Sequence, residues 1–338
     1  MRIRLVFLLV AVFLLAGCSG QTETAPTAAP TETSPSAPTP TATPSTPLTI
    51  LVMPADLPRE QYDAYQALIY DLAQANGMRF QVRNTLSPEE VRLEGPALKV
   101  VIVFPPDPGL AELAAAAPQA QFLAVGLPGA TAGGNISIIG IEAPLDKQAF
   151  LAGYTAAMLA EDYRVGMISL RDDPQAAIAV QAFENGYRFY CGLCTQQFPP
   201  WYNYPIVIQI PPDERVEYYP AYGEAILDYL VEVTYVYPPV ATPDLLDRMA
   251  TYNMLLISER MPFPGLQPNW VMSIEARPAD ALAAAFPALL AGQGGQAFPT
   301  PLALTDINPE ILTEGKQRLV QQVLDDLQAG YISTGVTP

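Results

Sequence analysis

The side chains that most enzymes use for nucleophilic and metal-dependent chemistry are scarce in this chain of 338 residues, which contains no histidine and three cysteines. The absence of histidine excludes Ser-His-Asp and Cys-His nucleophilic sites, zinc sites with histidine ligands, and general-base catalysis by imidazole. Hydrolysis by paired carboxylates stays open in principle, but no acidic pair stands in a setting that favours it. We therefore expect a protein that is not an enzyme and that needs neither a metal nor a cofactor.

Cys191 and Cys194 form a C-x-x-C pair. In a redox-active site this motif opens a helix after a strand, where the helix dipole lowers the pKa of the thiol. Here the motif follows a predicted helix over 174–190 and therefore lies at its C-terminal end. Zinc is disfavoured because two further ligands are missing. We predict a disulfide that clips the turn, formed in an oxidising compartment.

The third cysteine, Cys18, comes two residues after an apolar run over residues 5–16, which is preceded by Arg2 and Arg4. This pattern is typical of a secretory signal and is too short for a membrane span of about 20 residues. Its Leu-Ala-Gly-Cys ending resembles the lipobox of bacterial lipoproteins, in which the cysteine is acylated. The resemblance implies a signal peptide over 1–17, lipidation at Cys18, and anchoring on the extracytoplasmic face of the cell membrane. The alternative is an ordinary signal peptide with an incidental cysteine.

Residues 19–47 contain no aromatic and no long aliphatic side chain, and consist mainly of Thr, Pro, Ala and Ser. Such a segment cannot bury a core, so we predict a disordered tether over 18–47. Its prolines favour an extended chain of about 3.1 Å per residue, which gives a reach of up to roughly 90 Å.

The remaining chain of about 290 residues is large for one hydrophobic core and suits two lobes. The whole chain carries 34 acidic and 17 basic residues. This negative charge disfavours a nucleic acid polymer as a partner. Short β-rich runs alternate with amphipathic helical stretches, which predicts mainly parallel sheets covered by helices.

The predicted fold class is therefore α/β, with two lobes that are each a mainly parallel sheet flanked by helices. We predict an N-terminal lobe over 48–162, with return segments near 260–290 and 305–330, and a C-terminal lobe over 163–258. Ligands of open parallel sheets bind at the carboxyl ends of the strands, so two facing sheets predict a cleft and a hinge.

Several segments resemble the basic membrane protein family of bacterial lipoproteins, which bind purine nucleosides for ABC import. The segment Gln148 to Met158 (QAFLAGYTAAM) is similar to a family helix, and the strand Arg164 to Ile168 follows it in the family's order. The segment Ala182 to Arg188 (AFENGYR) comes next, and the order and spacing of the three segments match the family. Weaker similarity is found upstream in Pro118 to Val125 and downstream in Ser273 to Asp280. The resemblance implies a two-lobed periplasmic binding protein of type I fold, with a small-molecule ligand and a permease partner.

A nucleoside site needs aromatic faces for the base and polar groups for the ribose hydroxyls, all on loops of the cleft. Phe104 and Tyr237 end predicted strands and could sandwich a ring. Further candidates follow strands or open helices; the carboxylates could accept bonds from hydroxyls and the arginine could hold an anionic or carbonyl group. These candidates are Asp56, Asp172, Ser258, Glu259 and Arg277. For each residue alone, ordinary packing or a solvated loop is the alternative.

The aromatic segment Phe198 to Pro205 could cap the cleft, dock a partner, or cover the Cys191–Cys194 turn, and we favour the last. Together the patterns predict a monomeric, lipid-anchored protein that captures a nucleoside-like ligand for ABC import. A ligand sensor or surface interaction module that keeps the fold without transport is the first alternative, and a surface hydrolase that uses carboxylates is the second.

Overall fold

The computed structural model of the protein describes residues 45–54 and 59–336, without the side chains of Arg59 and Gln61. The predicted signal peptide 1–17, the lipidation site Cys18 and the tether as far as Pro44 lie outside the described residues. None of the described helices combines the length and the apolar character that a membrane crossing needs.

Strands and helices alternate along the described chain. The first group is β1 (Leu48–Val52), α1 (Arg59–Ala75), β2 (Arg79–Arg83), α2 (Pro88–Glu94), β3 (Leu98–Val103), α3 (Leu110–Ala116), β4 (Gln121–Val125) and β5 (Ile136–Ile139). The second group is α4 (Leu145–Leu159), β6 (Val165–Leu170), α5 (Pro174–Cys191), β7 (Ile206–Ile210), α6 (Tyr219–Ala225), β8 (Val233–Val236), α7 (Pro243–Ala250) and β9 (Leu255–Ser258). The last group is β10 (Trp270–Ala276), α8 (Pro278–Leu290), β11 (Ala297–Phe298), β12 (Leu302–Thr305) and α9 (Glu314–Gln328).

The first sheet has the strand order β11-β5-β4-β3-β1-β2, and all of its neighbouring strands are parallel. Ile50 and Val52 pack with α2 and α3, whereas Leu51 packs with α1 and α8 on the other face. Successive side chains of a strand point to opposite faces, so a strand covered on both faces reads as a continuous apolar run. This explains why all five residues of β1 are buried.

The second sheet has the order β12-β10-β9-β8-β6-β7, and its only antiparallel pair among the described strands is β10 with β12. On it, α4 and α5 cross closely. A Cβ atom added at Gly153 would collide with the carbonyl of Phe183, and one at Gly186 would collide with the carbonyl of Phe150. The two glycines therefore allow the helix backbones to touch. The predicted α/β class with two mainly parallel sheets is confirmed.

The chain passes between the sheets three times: after β5, after β10 and after β11. The lobe boundaries differ from the prediction in three places. The helix α4, predicted within the first lobe (48–162), packs in the core of the second sheet. Of the segment near 260–290, which was predicted to return to the first lobe, only α8 packs on the first sheet, because β10 pairs with β9 of the second sheet. The predicted return near 305–330 does not reach the first sheet, because α9 buries its apolar face in the second core.

Candidate ligand-binding cleft

Four polar side chains lie just beyond the carboxyl ends of strands from both sheets. Glu142 follows β5 of the first sheet, whereas Asp173, Tyr237 and Glu259 follow β6, β8 and β9 of the second. The charge of Glu142 contributes to a raised pKa at both Tyr237 and Glu259, so it lies near both groups. The carboxyl ends of the two sheets therefore approach each other here, which is where open parallel sheets bind ligands.

The phenol of Tyr237 lies in a buried, acidic environment. Burial raises its pKa to about 12, with further contributions from the charges of Asp173 and Glu142 and from its hydrogen bond to the Asp173 carboxylate. Asp173 is fixed in turn, because its carboxylate caps α5 by accepting a bond of 2.8 Å from the backbone N–H of Gln175. The Tyr237 side chain is 1% exposed, so it forms part of the wall of the cleft and presents no open ring face.

Glu259 is a partly buried carboxylate in an acidic environment. Burial raises its pKa, the charges of Glu275 and Glu142 raise it further, and Arg260 opposes them. Arg260 is itself paired with Glu275, with Nε 3.5 Å from the carboxylate oxygen. Arg260 is thus shared between the two acids Glu259 and Glu275.

The wall on the first sheet is a depression of about 350 Å³ beyond β4 and β5. Gly126 in this wall has φ of +62°, a conformation that side chains other than glycine rarely adopt. A Cβ atom there would also overlap the side chain of Ile141. Ile141 is 50% exposed and stands next to Glu142, so an apolar surface and a carboxylate lie side by side.

These groups can accept hydrogen bonds from hydroxyl or amine donors of a small polar molecule, since ionised carboxylates are acceptors only. Among the residues that the structure describes, no group of three or more His, Cys, Asp or Glu is arranged to hold a metal ion.

Comparison with known proteins gives a likeness of fold. A scan against models of protein families finds none that matches, and a search of curated proteins finds no match either. An ABC transporter system solute-binding protein from Conexibacter woesei DSM 14684 superimposes with a TM-score of 0.54 over 86% of this chain and 98% of that chain, at 14% identity. A transcriptional activator of the comK gene from Bacillus halodurans gives a TM-score of 0.51 over 86% and 99%, at 13% identity.

The chain has the two-lobed type I fold of periplasmic binding proteins. In this fold the structure places the predicted ligand residues in different settings. Asp56 lies outside the described residues. Phe104 is 5% exposed and packs against Tyr65 with ring centroids 4.6 Å apart, so its ring belongs to the core of the first lobe. Asp172 is exposed at the carboxyl end of β6 with φ of +57°.

Two further predicted residues are tied to structural partners. The hydroxyl of Ser258 is buried and donates a bond of 2.7 Å to the carbonyl of Val236 on the neighbouring strand. The guanidinium of Arg277 lies at the start of α8, where Nε is 3.2 Å from a carboxylate oxygen of Asp280. Of the seven predicted ligand residues, Tyr237 and Glu259 are the two whose pKa is raised in part by the charge of Glu142.

Sequence reasoning missed Glu142 and Asp173. Asp173 stands directly before Pro174, a pattern typical of a helix N-cap followed by proline at N1. Glu142 comes three residues after β5, in the first passage between the sheets. Its position after a strand was a usable signal, but its nearness to the second sheet depends on how the two lobes meet.

Cys191 and Cys194 are joined by a disulfide at the C-terminal end of α5, with Cα atoms 5.0 Å apart. The expectation that the aromatic segment 198–205 covers this turn does not hold for two of its rings. Phe198 and Trp201 are 64% and 70% exposed. Their neighbour Tyr204 is buried, and its phenol donates a hydrogen bond to the carbonyl of Tyr229.

Proposed function

We propose that this protein is an extracytoplasmic solute-binding lipoprotein that captures a small polar ligand between its lobes and delivers it to an ABC permease. The observation that carries the proposal is the position of Glu142, which follows β5 of the first sheet and lies close enough to Tyr237 and Glu259 of the second for its charge to raise the pKa of both. A ligand at this point contacts both lobes at once. The solute-binding protein from Conexibacter woesei, which shares the fold over 98% of its length, supports this role.

The proposed mechanism is closure about the three passages between the sheets. A ligand that contacts both walls stabilises the closed arrangement by its greater affinity for that arrangement. The permease would then recognise the closed form. The protein acts as a monomer without a cofactor and performs no catalysis, which agrees with the lack of histidine in the sequence.

Purine nucleosides are the ligand class that the resemblance to the basic membrane proteins implies. In such a complex, the carboxylates of Glu142 and Glu259 would accept hydrogen bonds from the ribose hydroxyls. The base requires an aromatic face. Tyr237 is buried and bonded to Asp173, so this face would have to come from another residue of the cleft.

A thermal-shift screen against nucleosides, sugars and amino acids tests the proposal. A ligand at 100 times its Kd stabilises the folded state by about 2.7 kcal/mol. We expect Glu142→Gln and Glu259→Gln each to weaken binding of the active compound by roughly tenfold, because a hydrogen bond to a charged group contributes about 1.5–3 kcal/mol. Glu112→Gln on α3 is the control with the same change of charge and should bind normally. A broad panel without any shift would contradict the proposal.

A ligand sensor is the second candidate, since the comK activator from Bacillus halodurans gives a TM-score of 0.51. A sensor would bind its ligand in the same cleft without a permease partner. Crosslinking of the ligand-loaded protein in its native membrane distinguishes the two functions. Capture of a permease and its ATPase supports transport, whereas capture of a signalling kinase supports sensing.

A further inference from the structure

Large apolar side chains are concentrated on one exposed stretch of the second lobe. Fourteen such side chains are exposed among the described residues, and five of them fall within 189–201. We call these five the apolar patch: Phe189, Tyr190, Leu193, Phe198 and Trp201. Leu193, which lies between the two disulfide-bonded cysteines, is 94% exposed. This concentration requires an explanation, since single exposed apolar residues are ordinary but clusters mark contact surfaces.

The backbone under the apolar patch is firmly held. The disulfide closes the short loop that carries Leu193. The carboxylate of Asp162 accepts bonds from the backbone N–H groups of Gln197, at 2.6 Å, and Phe198, at 3.3 Å. Arg164 pairs with Asp162 and also donates to the carbonyl of Phe198. The chain is thus fixed from inside the lobe while Leu193, Phe198 and Trp201 stay in solvent.

The apolar patch lies at the end of the second sheet that faces away from the candidate cleft. Asp162 and Arg164 directly precede β6, and α5 ends at Cys191, whereas the cleft residues follow the carboxyl ends of the strands. Contact with a large partner at the apolar patch therefore leaves the cleft open to solute.

The segment that carries the apolar patch is itself poor in charged residues, although Asp162 lies against its backbone. Residues 185–212 contain no aspartate or glutamate and a single basic residue, Arg188, although the whole chain carries 34 acidic residues. An otherwise acidic protein thus lacks acidic groups in this segment. Tryptophan, tyrosine, phenylalanine and leucine are the side chains that enter the interface of a lipid bilayer, where a carboxylate would be repelled by anionic headgroups.

We propose that the apolar patch docks on the surface of a lipid bilayer. The choice of this occupant rests on the membrane anchor at Cys18 that forms part of the proposed function. The tether predicted over 18–47, at the extended length expected for its composition, would reach up to roughly 90 Å, which exceeds the radius of gyration of about 19 Å for a domain of this size. An anchor of this length would let the domain lay this face on its own membrane. Docking would keep the domain at the membrane surface and leave its cleft accessible to solute.

Tryptophan fluorescence of the chain from Ser19 onward provides the test. The sequence has two tryptophans, of which Trp270 is fully buried and Trp201 is exposed. The vesicles consist of phosphatidylcholine, alone or mixed equally with phosphatidylglycerol. Binding should shift the fluorescence emission of Trp201 to the blue and reduce its quenching by iodide. The protein should also sediment together with the vesicles. Leu193→Ser and Trp201→Ser should each lower the partition coefficient by about tenfold, as expected for an apolar side chain that loses its burial. Sedimentation with vesicles measures this coefficient for both variants, because Trp201→Ser removes the fluorophore.

Leu93→Ser is the matched control, because Leu93 is 81% exposed on α2 of the first lobe. It should leave the partition coefficient unchanged, and near-ultraviolet circular dichroism should show that all variants are folded. The proposal is overturned if vesicles neither bind nor shift the emission, or if Leu93→Ser weakens binding as much as Leu193→Ser. It is also overturned, in favour of a second copy, if the two variants abolish self-association in solution while vesicle binding persists. The assay uses no solute, so failure of the solute screen does not affect it.

Discussion

The phenol of Tyr235 in β8 donates a hydrogen bond of 3.0 Å to Oε1 of Gln148 in α4. The amide Nε2 of Gln148 donates in turn to the carbonyl of Ile274 in β10, at 2.6 Å. Through these two hydrogen bonds, α4 is joined to two strands of the second sheet, and all three residues are buried. This network explains why α4 belongs to the second lobe although it directly follows the first sheet.

Loss of the Tyr235 hydroxyl should destabilise the second lobe. Tyr235→Phe leaves Oε1 of Gln148 buried without its donor, which costs about 1–3 kcal/mol. Urea unfolding measures the difference. Tyr331→Phe is the control, because Tyr331 is 83% exposed, and it should unfold like the wild type. Equal stability of Tyr235→Phe and the wild type would contradict the role of this hydrogen bond.

The crossing of α4 and α5 predicts a large effect at Gly153. Gly153→Ala places a methyl group against the carbonyl of Phe183, and such overpacking should lower the free energy of unfolding by about 3 kcal/mol. Gly315 in α9 has open space around its Cβ position, so Gly315→Ala should stabilise by about 0.5–1 kcal/mol. Calorimetry measures the Tm of both variants. If the Tm of Gly153→Ala equalled that of the wild type, the two helices would pack less closely than described.

Glu259 makes stability depend on pH at the acidic end. Burial raises its pKa in the folded state, so the folded protein binds this proton more tightly than the unfolded chain does. The ionised group opposes folding above its ordinary pKa, and stability rises as the pH falls through the raised folded pKa. Glu259→Gln should therefore raise the Tm at pH 7 and do so less at pH 4. A Tm that is lower at pH 7 would show that the charge stabilises the fold.

Tyr237 makes stability depend on pH at the alkaline end. Its pKa is raised to about 12 in the folded state, from the ordinary value of 10.0. The protonated Tyr237 phenol therefore favours the folded state. Its contribution to the free energy of unfolding is complete below about pH 10 and is lost as the pH rises towards 12. Tyr237→Phe should be less stable than the wild type at pH 8, because the bond to Asp173 is gone, and the gap should narrow above pH 10. Urea unfolding across this range would refute the assignment if the gap stayed constant.

Part of the candidate site could be predicted from the sequence, because the residues that follow predicted strands were candidates for the cleft. Tyr237 and Glu259 follow β8 and β9, and the structure places both near Glu142. Phe104 follows β3 in the same way, but its ring packs under Tyr65. Position after a strand gives the location of a backbone, whereas the direction of the side chain depends on which helix covers that strand.

The sequence by itself determined the alternation of strands and helices, because runs such as β1 and caps such as Asp173 before Pro174 act over a few residues. It also determined the lack of histidine chemistry. Only the tertiary structure decided that α4 and α9 belong to the second lobe, and that Glu142 lies near enough to Tyr237 for its charge to raise the pKa of the phenol. Those outcomes depend on contacts between residues that are far apart in the chain, and no local pattern encodes which apolar face finds which partner.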